Sequence, residues 1–337
     1  MTNNELEKTI IDITQSGKGI LAADESFPTI KKRFDSINLE STEENRRAYR
    51  ELLFTTPGIN EFISGVIMFD ETMRQQDKQG KPLPKVISDQ SIVPGIKVDK
   101  GTIPLVNSEG DKITEGLDGL GKRLEEYKQL GARFAKWRAV YSISEYNPRR
   151  LSIKLNAISL ARYAAICQSQ NIVPIVEPEV LMDGDHTIES CADVSRKVFH
   201  EVFHQLHKQH VVLEHIILKP SMIISGVKCK QQADVKEVAE NTLVILRETV
   251  PAAVPTINFL SGGQSEEIAT AHLNAMNVST SIKPWNLSFS YGRALQAPCL
   301  KAWAGKPENI QVAQQALHKR AKLNSTACLG KYDKKME

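Results

Sequence analysis

A lysine closes the most apolar short run of this chain. Ile216, Ile217 and Leu218 read as a strand buried on both faces; Lys219 follows where the strand ends, and Pro220 stops it. Desolvation and neighbouring cations lower a lysine's pKa and leave its amine free to attack a carbonyl. Taken alone, the segment more readily describes a lysine that marks a strand end and points into water, because perturbed buried lysines are uncommon. Two further pairs weigh on the choice. Lys136 and Arg138 lie two apart in Phe134–Val140, and Glu177 and Glu179 lie two apart after Ile172–Val176. Residues two apart on a strand share a face. With strands in chain order around a barrel, Lys136, Glu177 and Lys219 come from three successive strands. Two lysines within reach disfavour one another's charge, and a glutamate beside them orients them and moves protons. This is the minimum set for imine chemistry: the amine adds to a carbonyl, an acid expels water, and the iminium accepts the electrons of a breaking carbon–carbon bond. The competing reading is an ion-pair network that closes the barrel mouth.

Anion-binding residues form two further groups. Ser261-Gly262-Gly263 follows a strand-like run and precedes a helical one, Ser265–Met276. Backbone N–H groups in such a turn, together with a helix N-terminus, bind anions, and Arg293 on the next loop offers a bidentate partner. Lys97, Ser26 and the run Lys31-Lys32-Arg33 make the second group. Two cationic sites on opposite sides of one mouth suit a substrate with a phosphate at each end. Read alone, Lys31–Arg33 is also an ordinary solvated charge run. His200, His204 and His207 have helical spacing, but they fall opposite the apolar face of Val198, Phe199, Val202, Phe203 and Leu206, so they are read as solvent-facing and no metal is expected.

The elements that must position these groups repeat along the chain. Apolar runs recur at Gly19–Ala23, Val66–Phe69, Val93–Val98, Phe134–Val140, Ile172–Val176, Ile216–Leu218, Pro255–Leu260 and Leu287–Phe289. Amphipathic stretches at Glu43–Phe54, Leu117–Leu130, Pro148–Gln170, Glu189–Gln209, Asp234–Val250 and Ser265–Met276 lie between them. Eight alternating strands argue an α/β protein with a closed (β/α)8 barrel as one domain over residues 1–330. A doubly wound sheet would carry G-x-G-x-x-G after its first strand, and none is there. Each run ends near charged or hydroxyl residues, among them Asp24-Glu25-Ser26, Lys97, Glu177 and Glu179, and Ser290 with Arg293, and in a barrel those ends face the active site. Ser41 and Glu44 have capping-box spacing before Asn45–Phe54. Residues 331–337 are polar and are expected to fray.

Composition excludes several classes. The 337 residues are 41% hydrophobic and 25% charged, with a net charge of +3, which is too mild to argue for nucleic acid. Five scattered cysteines without C-x-x-C read as reduced thiols of a cytoplasmic protein, and no apolar run reaches membrane-spanning length. The first eight residues lack the apolar core of a signal peptide.

Longer motifs carry a resemblance. G-K-G-I-L-A-A-D-E-S (17–26), E-N-R-R (44–47), G-I-K-V-D-K-G (95–101), G-L-D-G-L (116–120), F-A-K-W-R (134–138), I-V-P-I-V-E-P-E (172–179), L-K-P (218–220), F-L-S-G-G-Q-S-E-E (259–267) and F-S-Y-G-R-A-L-Q (289–296) stand in order. Over residues 5–332 the chain resembles class I fructose-bisphosphate aldolase. The resemblance implies a TIM barrel that needs no cofactor or metal, a homotetramer, and cleavage of fructose 1,6-bisphosphate to two triose phosphates in glycolysis and gluconeogenesis. It implies Lys219 as the Schiff-base lysine, Glu177 as principal proton carrier, Asp24 as an assisting carboxylate, and Lys136 and Glu179 as supporting charges. It places Ser261, Gly262, Ser290 and Arg293 at the 1-phosphate, Arg33, Ser26 and Lys97 at the 6-phosphate, and Gly263, Gly292 and Arg138 among the substrate-binding residues. Two departures stand out. F-P-T-I-K-K-R follows D-E-S where vertebrate members have T-G-S-I-A-K-R, so the 6-phosphate loop is expected to differ at Pro28. The chain also ends in K-Y-D-K-K-M-E rather than in a longer tail with a terminal tyrosine. Other Schiff-base barrels, transaldolase or deoxyribose-phosphate aldolase, would need only one phosphate site. A binding protein that merely kept the fold would be expected to have lost Lys219 or Glu177. Protein-binding roles beside catalysis are not readable from the residues.

Overall fold

A computed structural model describes residues 4–337. Eight parallel strands close into a barrel in chain order: β1 (Gly19–Ala23), β2 (Ile63–Met68), β3 (Val93–Lys97), β6 (Phe134–Tyr141), β7 (Val173–Val180), β8 (Ile217–Leu218), β9 (Thr256–Phe259) and β10 (Asn286–Tyr291), with β10 returning to pair with β1. A small antiparallel hairpin, β4 (Thr102–Pro104) and β5 (Lys112–Thr114), stands outside the barrel. The helices are α1 (Asn4–Ile13), α2 (Phe27–Asp35), α3 (Glu43–Phe54), α4 (Asp70–Arg74), α5 (Leu83–Ser88), α6 (Leu120–Gln129), α7 (Arg150–Ser169), α8 (Ile188–Lys208), α9 (Val235–Thr249), α10 (Glu266–Val278), α11 (Arg293–Trp303) and α12 (Ile310–Cys328).

Strand alternation sorts the apolar residues into two cores. Ile20, Ala22, Ile67, Val93, Phe134, Val173, Ile175 and Ile217 fill the lumen, and Leu6, Ile10 and Ile13 of α1 join them, sealing the end where the strands begin. Leu21, Val66, Ile96, Trp137, Val176, Leu218 and Phe259 face the surrounding helices instead. Trp137 stacks on Tyr163 of α7 at 5.6 Å between ring centres. A lumen plugged by side chains at one end leaves the other end, where strands hand over to loops, as the place for a cavity.

Several boundaries differ from the periodicity, each for a local reason. β2 starts three residues early, because the polar Ser64 is satisfied inside the fold: its hydroxyl donates to the Ile13 carbonyl at 2.7 Å. β7 runs on through Glu177-Pro178-Glu179, whose charges face the cavity rather than ending the strand. The segment the resemblance makes the 6-phosphate loop is helical over Phe27–Asp35; Pro28 sits in its first turn, where a missing N–H removes no bond. The capping box at Ser41 and Glu44 does not form. Thr42 is the cap and accepts from the Asn45 N–H at 3.1 Å, while Glu44 pairs with Arg47. The tail expected to fray is drawn back onto α12. A buried guanidinium there, Arg320, needs a counter-charge and takes both oxygens of Glu337 at 2.6 and 2.8 Å, and Tyr332 donates to the same carboxylate at 2.7 Å.

The lumen has little slack. A Cβ on Gly95 of β3 would lie 2.2 Å from the Phe134 ring, and the Gly65 position is also tight against it. Gly95→Ala should therefore destabilise the barrel by about 1–3 kcal/mol through overpacking. Urea unfolding of the variant checks this, and an unchanged midpoint would mean that Phe134 can move aside.

Candidate active site

One cavity of about 240 Å³ opens at the C-terminal ends of the strands. Asp24, Glu25 and Ser26 reach it from the end of β1, and Thr29 and Arg33 from the inner face of α2. Lys97 closes β3, Lys136 and Arg138 come from β6, and Glu177 and Glu179 from β7. Lys219 follows β8, Ser261-Gly262-Gly263 follows β9, and Ser290, Gly292 and Arg293 come from β10 and the start of α11. All fifteen residues singled out from the sequence line this space. Lys31 does not; it pairs with Asp35 on the outer face of α2. His200, His204 and His207 lie exposed on α8, outside the cavity.

The charges at the bottom are buried and matched in a definite pattern. Lys136 Nζ lies 2.7 Å from Asp24 Oδ2, 3.3 Å from Glu177 Oε2 and 3.9 Å from Asp99 Oδ2. Lys219 Nζ lies 3.0 Å from Glu177 Oε1, its one ion-pair partner among the described residues. Glu177 thus bridges the two lysines. Burial alone would depress Lys136, but Asp24, then Glu177 and Asp99, outweigh it and hold the ammonium well above the ordinary lysine range. This reverses, for Lys136, the expectation that two neighbouring lysines would discharge one another. Asp24 shows the complementary effect. Burial pushes its carboxyl up, but Lys136, then Lys219 and Lys97, pull it well below the usual carboxylate range. Glu179 moves the other way: burial raises it, and its partner Arg138, at 2.9 Å, only partly offsets the rise.

Two groups of cations and anion-binding backbone border this bottom. On the β1 side Arg33 points in, tethered to the buried carboxylate of Glu25, and Arg50 of α3 holds the other Glu25 oxygen at 2.5 Å. Burial pushes Glu25 up, but Arg33 and then Arg50 prevail and the net shift is downward. Lys97 pairs with Asp99 at 2.7 Å. The second group is not opposite, as expected, but adjacent, because β10 pairs with β1: the Ser261–Gly263 turn after the next strand, β9, presents Gly262 and Gly263 at φ of +54° and +100°, conformations that favour glycine, and Arg293 donates to the Gln264 carbonyl at 3.2 Å.

Sequence reasoning passed over Thr29, Arg50, Gln264, His272 and Gln296. Gln296 is buried, donates to Glu25 at 2.9 Å and to the Ala22 carbonyl at 2.7 Å, and accepts from Tyr49. A buried amide that serves its neighbours has no periodic signature. Gln264 was visible as the residue after the glycine turn.

The family model for class-I fructose-bisphosphate aldolase matches residues 5–337. The chain belongs to the class-I fructose-bisphosphate aldolases. A probable class 1 fructose-bisphosphate aldolase of Xanthomonas campestris is 55% identical over 333 residues, covering 98% of this chain and 99% of the relative. Fructose-bisphosphate aldolase 4, cytosolic, of Arabidopsis thaliana is 54% identical over 94% of this chain and 80% of its own. The fructose-bisphosphate aldolase of Plasmodium falciparum, solved in complex with TRAP and a small-molecule inhibitor, superposes with a TM-score of 0.96 at 50% identity, covering 98% of this chain and 96% of that one. As an aldolase of this class, the protein is a lyase that reversibly cleaves fructose 1,6-bisphosphate to dihydroxyacetone phosphate and glyceraldehyde 3-phosphate. The barrel expected from the sequence is the fold of the family.

The matched charges make a pH test. Asp24 titrates lower in the folded aldolase than its ordinary value of 3.8, so its contribution to stability is complete above that value and is lost as pH falls below it. Lys136→Met removes the largest cause. It should destabilise the fold by about 3–5 kcal/mol at neutral pH, and the further loss between neutral pH and about pH 3.5 should shrink. Urea midpoints at both pH values decide; an equal acid loss in parent and variant would contradict the coupling.

Proposed function

We propose that Lys219 is the nucleophile and that Glu177 is the group that moves protons beside it. The observation that carries this is the unequal neutralisation of the two lysines: Lys136 is surrounded by three carboxylates, Lys219 faces one. A lysine held as an ammonium has no lone pair to offer, whereas Lys219 can pass its proton to Glu177 at 3.0 Å and attack. The Lys219 amine adds to the C2 ketone. Glu177 then protonates the departing hydroxyl, water leaves and the iminium forms. With a carboxylate taking the C4 hydroxyl proton, the C3–C4 electrons move into the iminium, glyceraldehyde 3-phosphate departs, and the remaining enamine is protonated at C3. Water then hydrolyses the imine and releases dihydroxyacetone phosphate. Asp24, kept ionised by Lys136, assists the carbinolamine and cleavage steps; Lys136, Glu179 and Arg138 keep the field in place.

The two cationic groups take the two phosphates in this reading. Ser261, Gly262, Gly263, Ser290, Gly292 and Arg293 hold the 1-phosphate, and Ser26, Arg33 and Lys97 hold the 6-phosphate. A homotetramer in the cytosol completes the proposal. It is supported by the family resemblance, by the cytosolic Arabidopsis relative, and by the lack, among the described residues, of any helix long and apolar enough to cross a membrane.

Borohydride with dihydroxyacetone phosphate should inactivate the enzyme and label the peptide that carries Lys219; label on Lys136 would reverse the assignment. The phosphate division is tested separately. Arg293→Ala should weaken every substrate with a 1-phosphate by about 2–5 kcal/mol, as for a desolvated charged contact. Arg33→Ala should harm fructose 1,6-bisphosphate more than fructose 1-phosphate, and equal losses in kcat/KM on both would refute the division.

A further inference from the structure

The turn that carries Ser261, Gly262 and Gly263 does not hold itself. Its shape depends on the next residue, Gln264, which is buried although it is polar. The Gln264 backbone N–H donates to the Ser261 carbonyl at 3.0 Å, closing the turn, and its side-chain Nε2 donates to the same carbonyl at 3.0 Å. That carbonyl can only accept, so the amide must face it with nitrogen and turn its oxygen away. The oxygen meets His272 Nδ1, from the inner side of α10, at 2.6 Å. An amide oxygen can only accept, so His272 must carry its proton on Nδ1. The Gln264 backbone carbonyl, meanwhile, accepts from Arg293 Nη2 at 3.2 Å. One residue therefore ties three things together: its side chain joins the glycine turn to a buried imidazole 8 residues further on, and its backbone carbonyl holds the guanidinium of Arg293. Burial lowers the His272 pKa to about 4, consistent with a neutral ring.

We propose that Gln264 and His272 are positioning residues for the 1-phosphate receptor: His272 fixes the orientation of the Gln264 amide, and Gln264 sets both the Ser261–Gly263 turn and the placement of Arg293. The proposal rests on the reading of that side of the cavity as a phosphate site. Neither residue touches substrate. Without the imidazole donor, the amide loses the partner that opposes Ser261 and can rotate. The turn then loses one of its two closing bonds, and the carbonyl that anchors Arg293 is no longer held.

The test compares dihydroxyacetone phosphate with unphosphorylated dihydroxyacetone, which forms the same imine without an anion. His272→Phe keeps a ring and removes the donor; Gln264→Met keeps the length and removes the amide. Each should raise the dissociation constant for dihydroxyacetone phosphate about tenfold, as expected for a lost hydrogen bond that leaves a buried partner unsatisfied. Borohydride-trapped imine with dihydroxyacetone should stay at the parental rate. The double variant should be no worse than Gln264→Met alone, because both act through one amide, and His272→Asn, which retains an N–H donor, should recover most of the affinity. Equal losses on both ketones, additive losses in the double variant, or no loss at all would overturn the proposal. Should His272→Phe fail to fold, Gln264→Met and His272→Asn carry the same comparison. Arg293→Ala separates the two layers. If it leaves dihydroxyacetone phosphate binding intact, the phosphate reading falls and this inference with it; if it weakens binding while the Gln264 and His272 variants do not, only this inference falls.

Discussion

Charges buried at the mouth of an apolar barrel have to be matched group by group, and that constraint organises the site. Two lysines and three carboxylates lie within a few ångströms of one another, nearly shielded from solvent. Ions so placed persist only when each finds a partner at close range, because the low local dielectric makes an unpaired one prohibitive. Glu177 satisfies this by bridging Lys136 and Lys219, and Asp24 and Asp99 take the remaining charge of Lys136. The result is asymmetric: one lysine is locked as a cation, the other shares a single carboxylate. Electrostatic bookkeeping and chemical role thus arise from the same geometry, and removing Glu177 would leave Lys219 without an ion-pair partner, while removing Lys136 would leave Asp24 without one.

The same logic extends outward in rings. Glu25 lies between Arg33 and Arg50 and is steadied by Gln296, which itself rests on Tyr49 and on the backbone of β1. In the neighbouring group, Gln264 and His272 steady the glycine turn and Arg293. Arg33 and Arg293 are therefore each backed by a buried network in which a glutamine amide meets partners on both its oxygen and its nitrogen. Such support holds first-contact groups to the small tolerances that catalysis requires.

The order of strands and the residues that meet at their ends were readable from the chain, because both rest on short-range regularities. Apolar runs of strand length recur, and Lys136, Glu177 and Lys219 sit at or near their ends. What could not be read depended on distant partners. Ser64 broke the apolar pattern of β2 because its hydroxyl is satisfied by α1, which no local rule reveals. The helix over Phe27–Asp35 was not legible because Pro28 stands in its first turn and only Ile30 and Phe34 of it are buried, too short an apolar pattern to read. The docking of residues 331–337 hangs on Arg320, whose burial is a tertiary fact. That Lys136 is held as a cation depends on Asp24 and Asp99, which come from other strands, so the proximity of two lysines alone does not reveal it.

Closure of the barrel joins β10 to β1, with Ile20 beside Ser290 and Leu21 beside Tyr291. Ser288 bonds the Lys18 carbonyl, and Gln296 bonds that of Ala22, 274 residues earlier. The two cationic groups of the cavity meet across this seam, Arg33 on one flank and Arg293 on the other. A ribosome therefore finishes almost the entire polypeptide before the site can exist. Until residues 286–291 emerge, β1 and β9 are open edges with unpaired backbone groups, which invite pairing with other nascent chains. A chain cut short before β10 can therefore carry Lys219, Glu177 and Lys136 and still lack a closed barrel around them.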